Sequence, residues 1–136
     1  MTRMNTIKVP QVETLEGVGD PCEHTLTVFH FLLTSLLSRE QALLHAEYWR
    51  PAANTTWYLR SRTTDSERED EPLAVLPSAI LQSCAARLAL ALDLSYKEGG
   101  HGRVEMVQEG RRHDCRVFLS NCRESGYWIR VYARAI

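Results

Sequence analysis

The stretch LQSCAARLALALDLSYKEGGHGRVEMVQEGRRHDCRVFLSNCRESGYWIRVY, residues 81–132, decides the fold. Its first part repeats apolar residues every three or four positions, at Leu81, Cys84, Leu88 and Leu92, and Ile80 just before it belongs to the same stripe. This spacing predicts an amphipathic helix that starts near Pro77 and stops at the glycines at 99 and 100. The remainder alternates apolar and polar residues and is divided by Glu109–Gly110 and by a second turn at 120–126. It predicts three strands, Arg103–Gln108, Arg112–Leu119 and Tyr127–Tyr132.

A second helix and two strands are predicted upstream. Asp20 and Pro21 form a helix start signal, and Glu23 completes a capping-box pattern. An apolar stripe follows and continues to about residues 39–42, with Leu26, Phe29, Leu33, Leu36 and Leu37 as its members. Leu43–Trp49 and Thr55–Arg62 alternate as strands around a turn at residues 50–54. The order α-β-β-α-β-β-β predicts an α+β fold, in which an antiparallel sheet of about five strands carries two helices on one face.

The chain divides into an arm and one domain. Residues 1–19 show no sustained periodicity and are predicted to be a flexible N-terminal arm, whereas residues 20–136 form a single α+β domain. Within that domain, Thr63–Glu71 has no apolar residue and five acids, so we expect a mobile, solvated loop.

Net charge, hydropathy and cysteine spacing limit which partners and compartments are expected. The formal net charge is −1 and the pI is about 6.5, so the chain as a whole has no basic bias toward nucleic acid or anionic lipid, although local patches stay open. We therefore expect no nucleic-acid partner. The most apolar run, Leu26–Leu37, is too short to span a bilayer, so no membrane insertion is expected. The four cysteines form no CxxC pair, which favours reduced thiols in a cytoplasmic protein.

No catalytic motif stands out. The glycines around His101 run from a helix into a strand and lack the Lys-Ser/Thr pair of a Walker A loop. The five histidines form no HExxH motif and no recognisable triad. We expect a protein that is not an enzyme and that has neither cofactor nor metal site.

Arginine supplies the candidate site. Arg60 and Arg62 are two apart on one predicted strand and therefore share a face, and further arginines lie on the C-terminal strands. The candidate anion- or partner-binding residues are Arg60, Arg62, Arg103 and Arg116. Guanidinium groups suit carboxylate and phosphate, but the same pattern also fits a solvent-facing sheet whose charges pair with Glu47, Glu105 and Asp114.

Several short strings, in order, resemble the domain that precedes the motor core of type II secretion and type IV pilus assembly ATPases. The matching strings are His45-Ala46-Glu47, Arg60-Ser61-Arg62, Leu92-Asp93, Gly102-Arg103, Gly110-Arg111, Asp114-Cys115-Arg116-Val117, Gly126 and Arg130. The resemblance covers roughly residues 22–132. It departs from the family where Leu43-Leu44 replaces a Ser-Asp pair and where the acidic loop replaces Ile-Asp-Gly. The sequence holds no Walker motif.

The resemblance implies a PAS-like fold and an interaction function. In that family the domain packs against the motor of a neighbouring subunit, and its arginines approach the nucleotide phosphates. Arg60, Arg62 and Arg116 would be the counterparts, and without a motor in this sequence they would act in trans. The leading hypothesis is a non-catalytic interaction or regulatory module whose protein partner is a secretion or pilus ATPase, or a second copy of the chain.

Two alternatives remain open. The first is a PAS-like sensor domain that binds a small molecule in a pocket formed by Trp49, Trp57 and Trp128. The second is a fragment of a full-length secretion ATPase.

Overall fold

The described part of the chain forms seven strands and two helices. The computed structural model describes residues 4–49, 52–62, 70–95, 97–122 and 126–136. The strands are β1 (Asn5–Lys8), β2 (Gln41–Tyr48), β3 (Asn54–Ser61), β4 (Glu71–Pro77), β5 (Gly100–Gln108), β6 (Arg111–Cys122) and β7 (Gly126–Ala135). The helices are α1 (Thr25–Leu37) and α2 (Ser78–Leu92), and a short 3-10 turn, Pro21–Glu23, precedes α1.

All seven strands belong to one sheet in the order β1-β5-β6-β7-β2-β3-β4. β1 pairs with β5 in parallel, and every other neighbouring pair is antiparallel. The α+β class stands, but the prediction of a PAS-like antiparallel sheet of about five strands is wrong. Two strands were missed, and one of them makes the sheet mixed.

Neither missed strand has a strong local signal. β1 lies in the segment predicted to be an arm, where only Ile7 in Asn-Thr-Ile-Lys is strongly apolar. It becomes a strand because it hydrogen-bonds along β5. β4 begins and ends near prolines, Pro72 and Pro77, which weaken a strand prediction. It forms at the sheet edge, where a missing N–H donor is tolerated.

The start signal at Asp20 produces a turn before the helix. The Asp20 carboxylate accepts a hydrogen bond from the Cys22 N–H at 2.9 Å and caps the 3-10 turn. α1 itself begins at Thr25, five residues later than the cap. At the other helix, the predicted start near Pro77 is confirmed. Its predicted end at the glycines at 99 and 100 is wrong, because α2 ends at Leu92, where Asp93 adopts the left-handed conformation.

Both helices pack on the same face of the sheet. Every second residue of the central strands points into this core, which includes Leu44, Trp57, Cys115, Val117, Ile129 and Val131. Burial of these apolar side chains is the main stabilising term of the fold. The other face of the sheet has no helix over it in the described residues, and we call it the open face.

Parts of three predicted connections, residues 50–51, 63–69 and 123–125, lie outside the described residues. Among the residues that the structure does describe, no helix is both long and apolar enough to cross a membrane.

Candidate functional site

The open face is rich in arginine because polar residues alternate with the buried ones along each strand. Its described arginines are Arg60, Arg62, Arg103, Arg112, Arg116, Arg130 and Arg134, and its described carboxylates are Glu47, Asp70, Glu105 and Asp114. The chain carries a net charge of −1, yet cations outnumber anions on this face. Charge is therefore segregated to one side of the sheet.

One line of side chains crosses five strands and contains three of the four arginines named from the sequence. The pairing register sets Arg60 beside Leu43, Leu43 beside Tyr132, Tyr132 beside Arg116 and Arg116 beside Arg103. We call this line the arginine row. Neighbouring strands are about 4.8 Å apart, so the row is about 19 Å long.

The row borders a shallow hollow of about 610 Å³. The arginines that line it are Arg60, Arg62, Arg116, Arg130 and Arg134, and its apolar lining includes Leu43, Phe118 and Tyr132. Three of the candidate residues, Arg60, Arg62 and Arg116, thus meet in one place. Arg103 lies beside Arg116 on β5 but does not line the hollow.

Part of this positive charge is neutralised within the chain. Asp70 accepts two hydrogen bonds from Arg60, at 3.0 and 3.1 Å, and lies 3.0 Å from the His45 ring nitrogen Nε2. The bonds from Arg60, supported by His45, lower the pKa of the Asp70 carboxyl although its burial acts the other way. The Asp70 carboxylate shows directly how this face holds an anion, by a two-point guanidinium contact.

Two more arginines have carboxylate partners. Arg103 contacts Asp114 at 2.7 Å, and Arg112 contacts Glu105 at 2.8 and 2.9 Å. The hydrogen bonds from Arg112 lower the pKa of Glu105. At Arg103 and Arg112, therefore, the arginines pair with carboxylates of the same chain, as expected for a solvent-facing sheet.

The remaining arginines are different. Arg62, Arg116 and Arg134 make no ion pair with any residue of the described ranges. The Arg130 guanidinium lies over the Trp128 ring, 4.7 Å from its centroid. Asp114 also lines the hollow, opposite Arg134, but its carboxylate contacts Arg103. The hollow therefore has more guanidinium groups than carboxylates, and this excess favours an anion from outside.

Arg116 is the centre of this group. It stands directly opposite Arg103 on β5. Because Tyr132 is its partner on β7, Arg130 and Arg134 are its two diagonal neighbours there. Like charges at such positions repel each other and destabilise a sheet. The arrangement is unfavourable for folding by itself, which is typical of a binding site.

Sequence reasoning missed Arg134. The last strand was predicted to end at Tyr132, but β7 continues to Ala135. The signal was available, because Arg130, Tyr132 and Arg134 follow the same two-residue alternation.

The three tryptophans do not line one pocket. Trp57 is 1% exposed in the core, beside a space of only about 10 Å³, on the opposite side of the sheet from Trp128. Trp49 is 63% exposed at the end of β2, against Gly126. Among the described residues, no group of three or more His, Cys, Asp or Glu side chains could hold a metal ion.

No protein-family model matches the sequence of this chain, and no curated protein matches it either.

Proposed function

We propose that this chain is a non-catalytic interaction module whose open face binds an anionic partner. The observation that carries the proposal is the excess of arginines over carboxylates in the hollow, where Arg62, Arg116 and Arg134 make no ion pair within the described residues. Charge-assisted contacts to guanidinium groups are about twice as strong as neutral hydrogen bonds, so a few of them suffice for specific binding. Binding through this face needs no chemical step.

The resemblance to the domain before the motor of secretion and pilus ATPases suggests what the partner is and where the complex forms. A subunit of such a machine, or a second copy of this chain, would bring the anionic surface, and the complex would form in the cytoplasm. Arg60, Arg62 and Arg116 are the residues proposed to touch it. The proposal includes no ATP hydrolysis by the chain, since its sequence has no Walker motif. ATPase turnover that a point mutation in this chain abolishes would contradict that part.

The charge of the open face is tested by reversal at one position. The variant Arg116→Glu is compared with Arg111→Glu, which changes the net charge equally but lies at the start of β6 on the other side of the sheet. The probe is fluorescently labelled poly-L-glutamate, followed by anisotropy at low and high salt. We expect Arg116→Glu to weaken binding at least about tenfold, because one charge-assisted contact contributes about 1.5–3 kcal/mol.

Arg111→Glu should change the affinity by less than about twofold, and salt should weaken binding to the native chain. Equal losses in the two variants would show that only net charge matters. Absence of binding to the native chain at low salt would overturn the proposal.

A further inference from the structure

A second line of side chains runs beside the arginine row. The pairing register sets Tyr58 beside His45, His45 beside Arg130, Arg130 beside Phe118 and Phe118 beside His101. We call this line the aromatic row, since four of its five members are rings and the fifth lies over the Trp128 ring. It lies two residues along the strands from the arginine row, a distance of about 6.6 Å.

The rings hold one another in place. His45 and Tyr58 are stacked, with centroids 5.5 Å apart. Phe118 meets His101 at 5.7 Å and meets Tyr132 of the arginine row edge-on at 5.9 Å. Tyr132 is 45% exposed, His101 is also exposed, and Phe118 between them is half-buried. No described helix or strand covers these rings, so they are open to a ligand.

Two parallel rows of this kind suit one class of ligand. Single-stranded nucleic acid presents bases along one side and phosphates along the other, and the proteins that bind it combine aromatic platforms with basic grooves. An acidic protein surface matches the arginine row but gives no role to the exposed rings. RNA-binding domains that use the face of a four-stranded sheet stack about two or three bases on it. The two rows here cross five strands, which is a similar width of sheet.

We propose that the anionic partner of the open face is single-stranded nucleic acid. The proposal rests on the proposed function, whose partner chemistry it specifies. Bases would stack on Tyr132, Phe118 and His101, while Arg116 and Arg134 contact phosphates. The β3 end of both rows is already occupied by Asp70, which holds Arg60 and His45.

The proposal departs from the expectation based on the net charge of −1. A net charge averages over the whole molecule, whereas binding depends on the charge at the contact surface. The open face has the cationic patch that the total conceals.

The test uses three labelled polyanions on the whole chain. They are a single-stranded oligonucleotide of about ten nucleotides, within the usual site size of such domains, an abasic oligonucleotide of equal length and charge, and poly-L-glutamate. We expect the oligonucleotide with bases to bind at least about tenfold more tightly than the abasic one, because each stacked base adds about that much. Its affinity should fall with salt, with a log–log slope of about −1.5 to −3 for two to four arginine contacts.

Substitutions at two residues distinguish contacts with bases from contacts with phosphates. Tyr132→Val removes a ring while keeping a good strand residue, and Tyr132→Phe keeps the ring. We expect Tyr132→Val to lose most of the preference for bases over the abasic chain and Tyr132→Phe to retain it. Arg116→Gln should weaken both oligonucleotides by about the same factor. Circular dichroism and thermal unfolding confirm that each variant is folded.

The outcomes are distinct. Tighter binding with bases, lost in Tyr132→Val and kept in Tyr132→Phe, supports the proposal. Equal binding of the two oligonucleotides, or tighter binding of poly-L-glutamate, overturns it and leaves the proposed function standing with an acidic protein as partner. If none of the three polyanions binds, both proposals fail.

Discussion

Arg116 should destabilise the fold that carries it. It makes no ion pair within the described residues, and Arg130 and Arg134 are its diagonal neighbours on β7. Such neighbours are about 7 Å apart, where each like charge contributes about 0.6 kcal/mol of repulsion in water. Asp114 contacts Arg103 and lies opposite Arg134 on β7, so its carboxylate balances the charge of Arg103 and offsets a small part of the repulsion from Arg134. Replacing Arg116 with Gln should therefore raise the free energy of unfolding by about 1 kcal/mol at low ionic strength.

Thermal unfolding at three salt concentrations measures this gain. A chain of this size should show a Tm rise of about 3–5 °C per kcal/mol. The gain should shrink by about half near 0.15 M salt and vanish near 1 M, where the Debye length is about 3 Å.

The control is Arg112→Gln, which changes the net charge equally but breaks the contact with Glu105. It should leave the free energy of unfolding unchanged or lower it slightly, because exposed ion pairs contribute little to stability. A loss of stability in Arg116→Gln at every salt concentration would show that Arg116 has a structural partner, and the argument for a binding site would fail.

Three further predictions concern the fold. In chemical denaturation, Gly99→Ala should lower the free energy of unfolding by about 3 kcal/mol and Gly110→Ala by about 1 kcal/mol. Both glycines have positive φ, but only at Gly99 would the new Cβ lie 2.5 Å from a backbone carbonyl oxygen of β6. Equal losses in the two variants would show that this contact relaxes. Burial lowers the pKa of His113 below its ordinary value of 6.5, so the stability that depends on the neutral imidazole is fully present above about pH 6.5 and is lost as the pH falls below it. Thermal unfolding between pH 7 and 5 should therefore show a smaller loss of Tm in His113→Phe than in the native chain. An equal loss in the variant would assign the pH dependence to other groups. Burial raises the pKa of the Cys84 thiol to about 12. In the folded chain at pH 8, Ellman's reagent should therefore modify the exposed Cys22 and leave Cys84 unmodified until the chain unfolds. Rapid modification of Cys84 would contradict its buried position.

The helices and most strands could be predicted because their signals are local. The apolar stripe of α2 and the alternation of β5, β6 and β7 each repeat within a few residues. The helix that follows Asp20 was placed several residues early, since a capping pattern shows where a helical turn starts and leaves open whether it continues as an α-helix.

β1 and β4 could not be predicted in the same way. Their residues carry weak strand preferences, and each forms by pairing with a strand from another part of the chain. Propensity is a poor guide at such positions, because cross-strand contacts decide the outcome.

The sequence by itself determined that Arg60 and Arg62 share a face, since the side-chain period of a strand is two residues. It could not place Arg116 or Arg130 relative to them. Only the tertiary structure decided that β7 lies between β6 and β2, which aligns the two rows, and that β4 pairs with β3, which brings Asp70 onto Arg60. Strand order and register are set by hydrogen bonds and packing between residues far apart in the chain. No local pattern in the sequence encodes these long-range contacts.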